Sequence, residues 1–222
     1  AWARDQMRGL VEQTGAVLLT PGRQSEKEYF VNMAVRSLNE LIGHLQAANV
    51  VSVKVEEPFQ GKFRGGGLNG WIDLLATNAE GQDAVVDVKW GGLGYRRDSL
   101  QLSKYLQLAV YAQLAQQARG RWPVLGYYII RDARLLMLDS DFFPKASIIQ
   151  PDNGENHLEF WQRVEATWRW RREQIESGLI EVPVTDTEPD EDSTPGEFGL
   201  EMPETFDRFD DYKMLTGWNP ES

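Results

Sequence analysis

An aspartate and a lysine lie two positions apart inside an otherwise apolar run, AVVDVKW at 84–90. Alternate residues of a β-strand share a face, so a strand here would direct Asp87 and Lys89 to one side and the neighbouring valines to the other. A buried carboxylate and ammonium are costly unless each has a partner, which a bound metal ion or phosphate would supply. The alternative is an ordinary ion pair on a half-exposed strand.

A second acid interrupts a neighbouring apolar run, because Asp73 lies within WIDLL at 71–75. If the two runs pair as an antiparallel hairpin, Asp73 lies beside Asp87 with room for a divalent cation between them. Mg²⁺ prefers oxygen ligands and keeps waters that can act as the nucleophile. Lys89 would then stabilise negative charge on a phosphate or orient the attacking water.

A glutamine and a tyrosine at helical spacing could complete such a site. Gln107 and Tyr111 are four residues apart, so a helix would place them on one face. Gln101 and Tyr105 have the same spacing, but six residues separate the two glutamines and put them on different helix faces, so only one pair can face the site. A core position for Tyr111, with Gln107 merely covering it, is the alternative.

The elements that must position these residues alternate in type, which predicts an α/β fold with a central mixed sheet flanked by helices. Helical spacing predicts two N-terminal helices, with Ser25 and Glu28 as a capping box for the second. Three β-rich runs then form a sheet meander. The predicted elements are helices at 1–17, 25–48, 99–118 and 152–177, strands at 50–55, 70–76, 84–90, 124–130 and 135–138, a loop at 91–98, and a second capping box of Asp152 and Glu155.

The net charge of −11 is not spread evenly over the 222 residues. Residues 181–222 hold 13 acidic and 2 basic side chains, and the remaining 180 residues hold 21 of each sign. We predict a domain at 1–180, an acidic linker at 181–196 and an aromatic tail at 197–222 that docks on the core. A balanced body predicts weak intrinsic affinity for nucleic acid, supplemented by metal-bridged phosphates or partner domains.

Several classes of protein are excluded by composition. The chain has no cysteine, which rules out disulfides, thiolate zinc sites and iron–sulfur clusters, and it has only two histidines. It contains no run of about 18 apolar residues and no signal-peptide pattern, so we expect a cytoplasmic protein without a membrane partner. Because it begins with Ala1 and Trp2 rather than methionine, we expect a domain cut from a longer protein.

Taken in order, these motifs resemble the PD-(D/E)XK nuclease superfamily, in its RecB/AddB-like exonuclease branch. The segment GWID at 70–73 resembles the family's Gly-x-Ile-Asp strand, Asp87-Val88-Lys89 its acid-x-Lys strand, and LQLAVYA at 106–112 the branch's Leu-Gln-Leu-x-x-Tyr-Ala helix. With an acid on a preceding helix, the features span 22–112. The resemblance implies a restriction-endonuclease-like core and favours the Gln107 and Tyr111 pair.

The resemblance also implies roles for the residues. Asp73 and Asp87 would bind Mg²⁺, or Mn²⁺ in its place, Lys89 would act electrostatically, and Gln107 and Tyr111 would position the substrate strand or the lysine. The first-motif acid would be Glu26, four residues after Gly22, with Glu28 as its competitor. Arg96 and Arg97, in the glycine-rich loop, could contact the phosphate backbone, although a solvated loop explains them equally well.

The tail carries one further resemblance. Many members of this branch end in Cys-x2-Cys-x5-Cys, which holds an iron–sulfur cluster, and here Phe206, Phe209 and Leu215 occupy that spacing. We expect a hydrophobic plug in place of the lost cluster. Coincidence in an aromatic-rich segment is the alternative.

The expected function is therefore a magnesium-dependent deoxyribonuclease, exonuclease-like and acting in DNA repair or recombination. Its substrate would be single-stranded DNA or free DNA ends, and its partners could include helicase or other repair subunits. The alternative is a non-catalytic nuclease-fold module that binds DNA or serves as a scaffold.

Overall fold

The structure is a computed structural model that describes residues 2–139, 141–179 and 199–200. Its elements are the helices α1 (Trp2–Thr14), α2 (Gln24–Ala47), α3 (Leu93–Gln101), α4 (Leu106–Arg119) and α5 (His157–Glu176), a 3₁₀ helix (Ala16–Leu19), and the strands β1 (Val50–Phe63), β2 (Gly66–Asn78), β3 (Asp83–Lys89), β4 (Val124–Ile129), β5 (Arg134–Met137) and β6 (Ser147–Ile148). Within these ranges, no helix combines the length and apolarity needed to cross a membrane.

The six strands form one mixed sheet in the order β1-β2-β3-β4-β5-β6. The first three strands are an antiparallel meander, as predicted, and β3 then pairs with β4 in parallel. Parallel neighbours need a long crossover, and α3 and α4 provide it. The remaining pairs are antiparallel β4 and β5 and parallel β5 and β6. The predicted α/β fold with a mixed sheet flanked by helices is therefore confirmed.

One face of the sheet packs an apolar core against α2. Leu74, Val86 and Tyr128 are fully or almost fully buried there, and Leu41 and Leu45 of α2 pack on them. The buried Tyr128 hydroxyl keeps its hydrogen bonds, because it accepts from Ser37 Oγ at 3.0 Å and contacts the Ser37 carbonyl oxygen at 2.5 Å.

The crossover helix α4 contacts β1, β2, β3 and β4. Its apolar side chains Leu108, Ala112 and Leu114 are fully buried. Lys89, on the face of β3 opposite to Val86 and Val88, reaches α4 through Gln107. The sheet thus has an apolar layer toward α2 and a layer with buried charge toward α4.

The predicted single helix at 99–118 is wrong, because two helices occupy this part of the chain. α3 begins at Leu93, inside the predicted loop at 91–98, and the chain breaks between Leu102 and Tyr105, where Ser103 has a left-handed φ of 51°. Sequence periodicity does not reveal such a break, since residues 95–119 contain neither glycine nor proline. The short strand Ser147–Ile148 was also not predicted.

Both predicted capping boxes are wrong, because Arg23 precedes α2 and Asn156 precedes α5. α2 begins one residue before Ser25, and Glu28 pairs with Arg8 of α1 at 3.1 Å. Asp152 accepts a hydrogen bond from Gln101 Nε2 at 2.9 Å. The box that caps α5 consists of Asn156 and Glu159.

The chain divides into two compact units, 1–155 and 156–222. The second contains α5 and two described tail residues. Arg163 Nε donates to the Gly199 carbonyl at 3.0 Å, and the Leu200 N–H donates to Thr167 Oγ1 at 2.6 Å. The linker at 181–196 and the plug residues Phe206, Phe209 and Leu215 lie outside the described residues, so the predicted domain boundaries and docked tail stay predictions.

Gly126 of β4 lies close to the backbone of β5. A methyl group added at Gly126 would meet the Leu136 carbonyl oxygen and the Met137 sulfur. Because the first of these is backbone inside the sheet, we expect Gly126→Ala to lower the free energy of unfolding by about 1–3 kcal/mol, the usual cost of overpacking. Urea denaturation measures it. The control Gly67→Ala, whose methyl would enter open space, should change stability far less, and equal losses would contradict the packing account.

Candidate active site

Asp87 lies in β3 between β2 and β4, and its side chain has no solvent exposure. Lys89 Nζ is 3.0 Å from Oδ1 and 2.8 Å from Oδ2. Only Oδ1 receives a directed hydrogen bond among the described residues, whereas the buried Oδ2 has the ionic contact without hydrogen-bond geometry. Most buried polar atoms in proteins have a hydrogen-bond partner, so this oxygen has capacity left for a further ligand.

The surroundings of Asp87 oppose its ionisation. Burial is the largest influence and raises the pKa of Asp87, and the negative charge of Asp73 raises it further. The hydrogen bond and charge of Lys89 and the charge of Arg96 act in the opposite direction without reversing the shift. A carboxyl group with a raised pKa inside a cluster of charges is a candidate for function.

Asp73 stands where β2 separates from β3. The ladder between these strands includes Leu74 and Val86 but does not extend to Asp73, and the β1–β2 register skips Glu56 and Asp73, with Glu56 at a left-handed φ of 50°. Asp73 Oδ2 accepts the Val88 N–H at 2.8 Å. The carboxylate thus takes the place of a backbone acceptor, and its negative charge is close enough to act on Asp87.

Lys89 is held by two elements. Its ammonium group donates to Asp87 on its own strand and to Gln107 Oε1 of α4 at 3.3 Å. Gln107 Nε2 in turn donates to the Tyr111 hydroxyl oxygen at 2.9 Å. An amide has one donor and one acceptor end, so the hydroxyl fixes which end faces Lys89.

The motif glycine has a packing reason. A methyl group at Gly70 would lie 3.2 Å from Tyr111 Cε1 and 3.2 Å from Leu114 Cδ1. These distances are shorter than ordinary van der Waals contacts, so a glycine lets α4 approach β2 and places Tyr111 near the site.

The alternative pair, Gln101 and Tyr105, does not share one helix. Tyr105 is 1% exposed and immediately precedes α4, and Gln101 bonds to Asp152. The structure therefore brings Gln107 and Tyr111, rather than Gln101 and Tyr105, to Lys89.

The sequence interpretation missed Tyr127. It is the direct neighbour of Asp87 in the parallel β3–β4 register, and burial raises the pKa of Tyr127 to about 12. The Arg96 guanidinium lies 5.3 Å from its ring centroid and lowers the pKa of both Tyr127 and Asp87 through its charge. Only the long-range strand pairing reveals this neighbour, and no local signal in the sequence marks it.

The two predicted arginines differ in environment. Arg96 is half-buried on α3 and close to Asp87, whereas Arg97 is exposed. Both stand on a helix and not in the predicted loop.

The predicted first-motif acids are in ion pairs. Glu26, in the first turn of α2, is 58% exposed and pairs with Arg23 at 3.0 Å, and Glu28 pairs with Arg8. Over the described ranges, no three acidic or histidine side chains converge on a possible metal position. The structure does not gather Glu26 with Asp73 and Asp87, and its role as a ligand stays a prediction.

Two carboxylates remain for a metal ion, and their chemistry fits one. Mg²⁺ is commonly held by one or two carboxylates together with waters and substrate phosphates, so a third protein ligand is not required. The partly satisfied Oδ2 of Asp87 and the adjacent Asp73 supply hard oxygen donors.

A polar cavity of about 180 Å³ lies elsewhere, and its lining includes Glu40, His44, Arg134 and Lys145. Burial lowers the pKa of His44. None of these four residues belongs to the group around Asp87.

Comparison with known proteins gives a family and distant structural likenesses. A family model described as the PD-(D/E)XK nuclease superfamily matches residues 2–189. Comparison with curated proteins gives no match. Among solved structures, a protein from Eubacterium rectale provisionally named an exonuclease is 12% identical, with a TM-score of 0.41 and coverage of 81% of this chain. The chain spans 66% of that protein's length.

The buried carboxyl group predicts a pH-dependent stability. Because the native pKa of Asp87 is raised, the native state keeps a proton that the unfolded chain releases as pH rises above the ordinary value of 3.8. Stability therefore falls across the interval up to the native pKa, and the loss is complete above it. Asp87→Asn cannot ionise and still accepts from Lys89. In buffer containing EDTA, we expect it to unfold at a higher urea concentration than wild type at neutral pH.

The difference in urea midpoint between Asp87→Asn and wild type should shrink as the pH is lowered from the native pKa of Asp87 toward 3.8. The control Asp98→Asn, at an exposed position of α3, should change stability by less than about 0.5 kcal/mol at every pH. An Asp87→Asn chain less stable than wild type at neutral pH would contradict the account, because it would mean that the charged pair is a net stabiliser.

Proposed function

Because the chain belongs to the PD-(D/E)XK nuclease superfamily, we propose that it is a magnesium-dependent deoxyribonuclease that hydrolyses phosphodiester bonds at the Asp87 site. The observation that carries the proposal is the convergence of Asp73, Asp87 and Lys89 at one point of the sheet. In the reaction, water attacks phosphorus and gives up a proton to solvent, the bond from phosphorus to the leaving sugar oxygen breaks, and that oxygen takes up a proton from solvent.

Asp73 and Asp87 would hold the divalent ion, and nucleases of this family generally use such ions. When bound, the ion would supply Lewis-acid stabilisation of the phosphate charge and a nucleophilic water at neutral pH. Glu26 remains a predicted additional ligand, and Mn²⁺ is expected to replace Mg²⁺.

Lys89 suits an electrostatic role. Its side chain is 24% exposed, so it can be reached from solvent while Asp87 and Gln107 fix its position. A preorganised ammonium group beside the reacting phosphate stabilises the negative charge that develops in the transition state. Arg96 adds a second positive charge near Asp87.

The finer assignment is to the RecB/AddB-like branch, with exonuclease action on single-stranded DNA or free ends in repair or recombination. The support is the LQLAVYA segment, whose glutamine accepts a hydrogen bond from Lys89 and donates one to the tyrosine. Residues 1–180 carry equal numbers of acidic and basic side chains, and such a body binds phosphate backbones weakly. Helicase or other repair subunits that deliver the strand are therefore proposed partners.

A cleavage assay tests the proposal. The full chain is incubated with end-labelled single-stranded DNA, double-stranded DNA and RNA, in Mg²⁺ or in EDTA. We expect Mg²⁺-dependent cleavage of DNA, and we expect Asp87→Asn and Lys89→Met each to lower kcat by about 100- to 1,000-fold, as loss of a transition-state contact does.

The matched controls are Asp5→Asn on α1 and Lys54→Met on β1, both exposed, which should leave kcat within about twofold because surface changes have small effects. Cleavage that survives EDTA or both site substitutions would refute the mechanism. DNA binding without any cleavage would favour the non-catalytic module instead, and preferential cleavage of RNA would correct the substrate.

The orientation of the Gln107 amide gives a separate prediction. Tyr111→Phe removes the hydroxyl that accepts from this amide, so the amide can rotate and no longer holds the Lys89 ammonium in one position. We expect kcat to fall by about tenfold, as it does when other groups that orient a site residue are removed. In a Gln107→Glu chain both side-chain oxygens are equivalent and need no fixing. In the Gln107→Glu chain, Tyr111→Phe should lower kcat much less than it does in wild type. An equal loss of kcat in the two chains would exclude a positioning role for the hydroxyl.

A further inference from the structure

A cavity of about 440 Å³ lies beside the carboxyl end of β3. Its volume is in the range of about 300–1,000 Å³ that is typical of small-molecule sites. The lining includes Leu18 of the 3₁₀ helix, Glu26, Tyr29, Phe30 and Met33 of α2, and Trp90 after β3.

The walls of this cavity are aromatic and open to solvent. The Phe30 and Trp90 rings stack with centroids 5.4 Å apart and planes 20° apart. Trp90 is nevertheless 49% exposed and Tyr29 is 65% exposed. Exposed aromatic faces suit a flat ligand that stacks. Most of the lining is apolar, which favours a neutral, flat group over a phosphate.

The cavity adjoins the proposed active site through consecutive residues. Trp90 directly follows Lys89, and adjacent Cα atoms are about 3.8 Å apart. Lys89 reaches Gln107 of α4, whereas Trp90 stacks on Phe30 of α2. A nucleic-acid strand that crosses the end of β3 would therefore meet a cationic group on one side and an aromatic cavity on the other.

We infer that this cavity binds one unpaired nucleobase of the substrate strand, beside the phosphate that Lys89 faces. The inference rests on the proposed function and adds a base-binding site to it. A base inside a duplex is stacked on both faces and paired at its edge, so it cannot enter a pocket without being extruded. The cavity therefore selects single strands and frayed ends, and it supplies stacking affinity that the balanced charge of residues 1–180 does not.

Abasic scanning tests the inference. The full-length Asp87→Asn chain, in Mg²⁺, is titrated into a fluorescein-labelled single-stranded oligonucleotide, intact or with one base removed at successive positions. We expect one position at which removal of the base weakens binding about tenfold, in line with base–aromatic stacking. Adding Trp90→Ala should weaken binding of the intact strand by a similar factor and remove the effect of that position. Trp90→Phe should restore most of it.

The control Trp2→Ala removes an aromatic ring that is 72% exposed and does not line the cavity, and it should leave the scan unchanged. If Trp90→Ala lowers the melting temperature, Tyr29→Ala provides the same comparison at a more exposed ring. A scan without a sensitive position, or one whose sensitive position keeps its effect in both variants, would overturn the inference.

The two proposals fail separately. If wild type cleaves DNA but the scan does not depend on Trp90 or Tyr29, the base site is wrong and the nuclease assignment stands. If wild type cleaves neither DNA nor RNA but the scan shows a position that depends on Trp90, the base site is correct and the protein is a non-catalytic binding module.

Discussion

A carboxylate without solvent exposure in the middle of a β-sheet is the constraint on which the rest of the structure depends. Asp87 raises the energy of the native state when it ionises, and burial raises its pKa even with Lys89 in contact. The neighbouring backbone departs from regular pairing at the same place, with Asp73 accepting the Val88 N–H. The features that would destabilise an ordinary sheet are thus concentrated at one point, which is typical of a site selected for chemistry.

The two helices that flank the sheet divide the work between stability and positioning. α2 packs Leu41 and Leu45 on an apolar layer that needs no charge. α4 meets the opposite layer and directs Gln107 and Tyr111 toward Lys89. Gly70 has no side chain, so α4 can pack closely on β2 through Leu114. This packing sets the distance from Gln107 and Tyr111 to the strands that carry the aspartates and Lys89.

Charge acts locally in this protein. The excess of −11 belongs to residues 181–222, and the other 180 residues are balanced. Long-range attraction of a polyanion is therefore weak, and recognition must come from short contacts. Two kinds of group are available for such contacts near the end of β3. Lys89 and Arg96 carry positive charge near Asp87, and Phe30 and Trp90 present aromatic rings next to Lys89.

The sequence by itself determined which residues share a face within a strand or a helix, and it determined the fold class. The period of two in β3 set Asp87 and Lys89 together, and the spacing of four in α4 set Gln107 and Tyr111 together, because such periodicities depend only on near neighbours in the chain. The tertiary structure alone decided that Tyr127 lies beside Asp87, that Arg96 stands on a separate helix, and that Glu26 pairs with Arg23. Each of these depends on strand pairing, on a helix break or on a choice among competing partners, and those are settled by packing energies summed over distant segments.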